Sequence, residues 1–77
     1  MNLDDKRFLR SLGQRLREQR LQRGLSQAEL GRECTLHRTF IGSVERGERN
    51  ISILNLRLIA RKLRVSVSSL VQDGSEK

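Results

Sequence analysis

Seventy-seven residues are enough for one small domain with a marginal core, and a single cysteine, Cys34, rules out an internal disulfide or a thiolate-rich zinc site. Sixteen Lys and Arg against nine Asp and Glu give a formal charge of +7, a balance that points to a polyanion such as nucleic acid or an acidic membrane surface. No apolar run approaches the ~18–20 residues a membrane span needs and no signal-peptide pattern opens the chain, so a cytoplasmic setting is expected.

The positive excess is uneven. Residues 1–23 carry seven basic and three acidic side chains and residues 38–64 seven and two, while 24–37 and 65–77 are slightly acidic. A merely solvated basic surface is the alternative to a binding face. Two Phe, with no Trp or Tyr, argue against single-strand binding by aromatic stacking.

Helical punctuation predicts five helices and an all-α fold. Asp4 or Asp5 can cap the first, which runs to about Arg23 and stops at Gly24, with Phe8, Leu9, Leu12 and Leu16 on one face. Ser26 followed by Glu29 is a capping box for a second helix through about Glu33. The third spans Arg38 to Arg46, ends at Gly47 and buries Phe40, Ile41 and Val44. Ser52, with Asn55 three residues on, opens a fourth helix to about Leu63. Ser66 caps a short fifth carrying Val67, Leu70 and Val71, and Asp73–Lys77 reads as a frayed tail, leaving 1–72 as one domain.

A short helix, a tight turn and a second amphipathic helix over Ser26–Arg46 make a helix-turn-helix in which Leu30, Leu36, Ile41 and Val44 interlock. The stretch LSQAELGRECTLHRTFIGSVERGERN, preceded by LGQRLREQRLQRG and followed by ISILNLRLIARKLRVSVSSL, resembles the lambda-repressor/Cro-like regulators. Within that family, HRTFIGSVERGERNIS in so short a chain is most similar to the controller proteins of restriction–modification systems, although phage repressors and antitoxins share such segments. The resemblance implies a compact five-helix fold and a transcriptional regulator of double-stranded DNA, an activator or a repressor. Two positions depart from the family pattern. Gly31 stands where Ala is frequent, and Thr35 stands in the turn where glycine is usual, so the turn either avoids positive φ or stores strain.

In such a motif the third helix enters the major groove. Arg38 can donate two hydrogen bonds to guanine and Thr39 can offer a hydroxyl or a methyl to thymine; each can instead be an ordinary helix-start residue. Ser43 lies one turn further on, and Gly42 leaves room for close approach. The resemblance implies phosphate or base contact by Gln27, which can instead be a solvated helix-start residue. Arg46, Arg49 and Asn50 follow the third helix and can reach phosphates or a neighbouring groove edge, and the resemblance adds base reading at the operator centre by Arg49. His37, at the N-cap of the third helix, can touch phosphate. Arg57, Arg61 and Lys62 read as solvated, and Cys34 as a buried turn residue rather than a redox sensor. The resemblance also pairs Glu45 with Arg20, either as a buried lock worth several kcal/mol to leave intact or as a weak surface pair.

Leu54 and Leu58 lie off the Leu56, Ile59, Ala60, Leu63 stripe of the fourth helix. They are expected, with Arg64, Val65 and Val67, to form a homodimer seam, or else a wider core. A two-fold dimer suits a palindromic operator with half-sites about 34 Å apart. Contact with RNA polymerase is an open expectation of that role, and a nucleoid-associated bacterial setting goes with it. One His and one Cys in so small a chain make an enzyme site unexpected, and neither cofactor, metal, small-molecule ligand nor membrane is called for. The rival class, a cationic amphipathic helix over 6–23 that binds a protein or a membrane, is weakened because Leu12 and Leu16 are wanted by the core.

Overall fold

Each helix begins where a side chain takes over a backbone N–H that the helix itself leaves unpaired. Ser26, Ser52 and Ser66 accept from the N–H three residues on, at 3.0, 3.1 and 3.1 Å, and such a cap is worth about 1 kcal/mol. The computed structural model describes residues 1–72, with the expected tail Asp73–Lys77 outside them. It contains α1 (Leu3–Gln22), α2 (Gln27–Cys34), α3 (Arg38–Glu45), α4 (Ile53–Leu63) and α5 (Val67–Leu70), and the described residues include no strand. The five-helix, all-α expectation therefore holds.

The Ser26 cap is reciprocal, because Glu29 Oε1 accepts from the Ser26 N–H at 2.8 Å. These bonds to Ser26 hold the exposed Glu29 carboxyl below the usual carboxylate range. The stabilisation is therefore complete above the ordinary carboxylate pKa and fades as pH falls through the lowered one.

Two expectations for α1 are corrected. Its cap is Asn2, whose Oδ1 accepts from Asp5 N–H at 2.8 Å; Asp4 and Asp5 lie inside the first turn, where their charge suits the helix dipole. Phe8 is not core but 36% exposed, because only Leu9 of that turn faces the body of the protein.

Two apolar clusters divide the interior. Leu16, Leu30, Cys34, Ile41, Val44, Ile59 and Leu63 lie beneath α2 and α3, with Phe40 and Leu58 half-buried against them. Leu9, Leu12, Leu56, Ala60 and Leu70 join α1, α4 and α5. The first cluster sets the angle at which α3 is presented. Burial also pushes the Cys34 thiol up, which disfavours the thiolate.

The four longer helices end alike. The N–H of Leu25, Leu36, Glu48 and Val65 reaches back to the carbonyl of Arg20, Gly31, Ser43 and Ala60, at 2.8 to 3.1 Å. This closure places the preceding residue in the left-handed region. Gly24 and Gly47 take that position in α1 and α3, but Thr35 (φ 56°) and Arg64 (φ 61°) take it in α2 and α4. The turn between α2 and α3 thus resolves as the strained alternative. Gly31 is fixed by the same closure, since a Cβ there would lie 2.5 Å from the Leu36 carbonyl oxygen.

A left-handed L-residue costs roughly 1–2 kcal/mol, and glycine's looser unfolded chain returns roughly 0.5–1 of it. Thr35→Gly is therefore expected to raise the thermal midpoint by several degrees in a melting curve. A midpoint that stays level or falls would show that the turn stores no strain.

Candidate nucleic-acid interface

Capping of α2 at Ser26 puts Gln27 in its first turn, and capping of α3 at His37 puts Arg38 and Thr39 in its first turn. The packing of α2 on α3 turns these starts to one side, where Gln27, Arg38, Thr39, Gly42 and Arg46 line one shallow depression. Gly42 matters to its depth. A Cβ there would lie 3.2 Å from both Gln27 Oε1 and Arg46 Nη1, so glycine lets the glutamine lie across α3.

Glu45 lies beneath this surface, 7% exposed beside Arg20 at 6%. Arg20 Nε donates to Glu45 Oε2 at 2.6 Å and Nη2 donates to Oε1 at 3.0 Å. The remaining nitrogen, Nη1, donates to the Leu25 carbonyl at 2.7 Å. Gln27 Nε2 also donates to Glu45 Oε1, at 3.0 Å. The buried carboxylate is thus neutralised from below, while Arg38 and Arg46 stand exposed above it. No buried polar side-chain atom among the described residues lacks a partner.

Other candidates are already engaged in the free protein. His37 Nδ1 accepts from the Thr39 N–H at 3.1 Å and lies 2.8 Å from Thr39 Oγ1. With that nitrogen accepting, the threonine hydroxyl donates to it, leaving the methyl free. Ser43 donates its hydroxyl to the Phe40 carbonyl at 2.8 Å. Arg49 places its guanidinium carbon 5.5 Å from the Phe40 ring centroid, within cation–π range. Asn50 lies away from the depression, in a hollow with Met1, Asp5, Phe8 and Leu9. Arg57, Arg61 and Lys62 are exposed on α4.

Of the residues expected to form a homodimer seam, Leu54 is 70% exposed and Leu58 half-buried against the core. Ile53, which the sequence pattern did not single out, is 65% exposed beside Leu54. Arg64 is exposed, and Val65 and Val67 are half-buried against the core clusters. Residue type alone could have flagged Ile53; the bond between Gln27 and Glu45 has no local spacing that announces it.

A family model described as helix-turn-helix matches residues 16–70, more than half of the chain. The chain belongs to the helix-turn-helix family. Control protein C.BamHI of Bacillus amyloliquefaciens is 43% identical to this family member over 60 residues, covering 77% of this chain and 74% of that one. The solved restriction-modification controller protein C.AhdI from Aeromonas hydrophila matches it with a TM-score of 0.80 at 42% identity, over 84% of this chain and 94% of that one. SinR, solved in complex with DNA, matches with a TM-score of 0.76 at 32% identity, over 79% and 98% of the two chains. The lambda-repressor-like fold and the likeness to controller proteins, both expected from the residues, agree with these matches.

In a helix-turn-helix domain held this way, removing one partner of the buried pair leaves the other charged and unpaired. Arg20→Met and Glu45→Leu are each expected to cost about 3–5 kcal/mol by chemical denaturation. The double variant should cost clearly less than the two losses together. Additive losses would show that the two side chains act independently.

Proposed function

We propose that this chain is a sequence-specific regulator of transcription that binds double-stranded DNA as a homodimer on a palindromic operator, and that it is the controller of a restriction–modification pair. The observation that carries this reading is the depression formed by Gln27, Arg38, Thr39, Gly42 and Arg46, cationic above a neutralised carboxylate. Likeness to C.BamHI and C.AhdI supports the narrower role, and the match to a DNA-bound SinR supports the broader one. RNA polymerase contact and a cytoplasmic, nucleoid-associated setting belong to the same reading.

In this reading α3 enters the major groove. Arg38 and Thr39 face base edges, with Ser43 one turn behind. Gln27, His37, Arg46, Arg49 and Asn50 hold phosphates and set the register. The dimer forms through Leu54, with Ile53 beside it, and through Leu58, Arg64, Val65 and Val67. Burying an aliphatic side chain contributes about 1.5–3 kcal/mol, which gives the exposed start of α4 a reason to pair. A body measuring 33 × 23 × 21 Å, doubled about a two-fold axis, is of a size to set its α3 helices one turn of DNA apart, about 34 Å.

Selection of bound sequences from random DNA tests the proposal. The protein should prefer the recovered duplex over random duplex at physiological salt, and equal binding to both would refute it. Arg38→Ala should weaken binding to the recovered duplex by about 1–3 kcal/mol and relax the preference at one base pair, with little change on random duplex. For the dimer, sedimentation should show the parent paired at tens of micromolar without DNA and Leu54→Glu monomeric. A monomeric parent would overturn that part of the proposal.

A further inference from the structure

Cations on α1 form a surface that the reading above leaves without a role. Lys6 and Arg10 share a hollow with Arg46, Gly47 and Glu48, at the end of α3 and the turn that follows. Arg46 also lines the depression of Gln27, Arg38 and Thr39, so the two hollows meet at one side chain.

Backbone packing fixes this juxtaposition. A Cβ on Gly13 would lie 2.4 Å from the carbonyl oxygens of Val44 and Glu45, and one on Gly47 would lie 2.7 Å from Arg10 Cα. The α1 backbone is therefore seated directly on the last turn of α3 and the loop beyond it. Neither contact tolerates a larger residue without a shift of main chain. Lys6 and Arg10 accordingly hold a constant position relative to the reading helix.

The charge balance is equally specific. Glu48 faces the hollow but pairs with Arg46 at 3.1 Å. The two ion pairs found among the described residues are Arg20–Glu45 and Arg46–Glu48, and Lys6 and Arg10 take part in neither. Two uncompensated positive charges remain, four residues and so about 6 Å apart along the helix. That is one to two nucleotide steps on a strand, at about 3.4 Å of axis each.

We propose that Lys6 and Arg10 bind the phosphodiester backbone of duplex DNA beside the half-site that α3 reads, on the side faced by the end of α3 and the turn after it, with Arg46 at the junction. The inference rests on the DNA-binding reading above. With α3 in the major groove, its C-terminal end and the following turn face the groove wall, and a cationic surface continuous with Arg46 meets the next phosphates along. These contacts add affinity and salt dependence without choosing sequence. They lie before the segment 16–70 that the family model matches.

The test uses the duplex recovered by selection, extended by about ten base pairs, one helical turn, on each side. Lys6→Gln combined with Arg10→Gln is compared with the parent and with a control, Arg32→Gln combined with Lys62→Gln, which removes the same charge from exposed positions on α2 and α4. On the extended duplex the Lys6/Arg10 variant should show a log–log salt slope shallower by about two per bound subunit. The control should match the parent. An unchanged slope overturns the inference, as does an equal change in the control. Loss of the parent's own preference for the selected duplex is read in the same titration and refutes the regulator reading instead. An unchanged thermal midpoint shows that the exposed replacements leave the fold intact.

Discussion

A guanidinium carries five N–H donors in one plane and keeps its charge wherever it is placed. Buried on α1, Arg20 directs its donors to two acceptors: the Glu45 carboxylate in the last turn of α3, and the Leu25 carbonyl in the connection to α2. Gln27, in the first turn of α2, uses the same carboxylate. Scaffold helix, connecting loop and both helices of the motif are therefore tied to a single ion pair. An ion pair in low dielectric adds little net stability compared with a well-packed apolar pair, yet losing half of it is severe. Its effect here is positional. The surface that meets DNA in the proposed function is set before binding, so little ordering cost falls on the complex.

Helix termination shows how local chemistry yields to such tertiary demands. The same backbone closure ends α1, α2, α3 and α4, and each requires a left-handed residue. Glycine meets that requirement at 24 and 47 without strain. At 35 and 64 an L-side chain adopts it because the helices on either side are already fixed, α2 against α3 by the approach of Gly31 to Leu36, and α4 against α5 by packing around Ala60 and Leu70. Strain of this size persists only where the surroundings determine the backbone from several directions.

This explains which parts of the molecule could be read in advance. The serine caps at 26, 52 and 66 act within three residues, and the apolar stripes repeat at helical spacing, so both were legible in the sequence. Glycine stops were legible at 24 and 47, while Thr35 left the turn open and Arg64 carried no turn signal. Asn2 was overlooked because Asp4 and Asp5 are stronger compositional cues for the same helix start. Phe8 fits the apolar stripe of α1, but that stripe continues past the point where the body of the protein stops covering it. The meeting of Arg20 with Glu45 was legible only through family resemblance, since 25 residues separate them. The bond from Gln27 to Glu45 joins side chains 18 residues apart on two helices, with Gly42 leaving the glutamine room.

The hydrogen bonds of the free protein also rank the proposed readers of sequence. The Thr39 hydroxyl is engaged by His37, and the Ser43 hydroxyl by its own helix. Either must give up an internal bond before donating to a base, so the exchange yields less than a new contact would. Arg49 likewise rests against Phe40. The side chain of Arg38, at the start of α3, has no hydrogen bond or ion pair among the described residues to surrender, and nothing buried depends on where it points. A two-point contact from Arg38 to guanine would therefore bring nearly its full discrimination. Thr39 would act first through its methyl group, which distinguishes thymine without disturbing the cap that holds the helix end in place. In the proposed function, base choice thus rests on the least committed side chain of the surface, and its placement rests on the most committed pair beneath it.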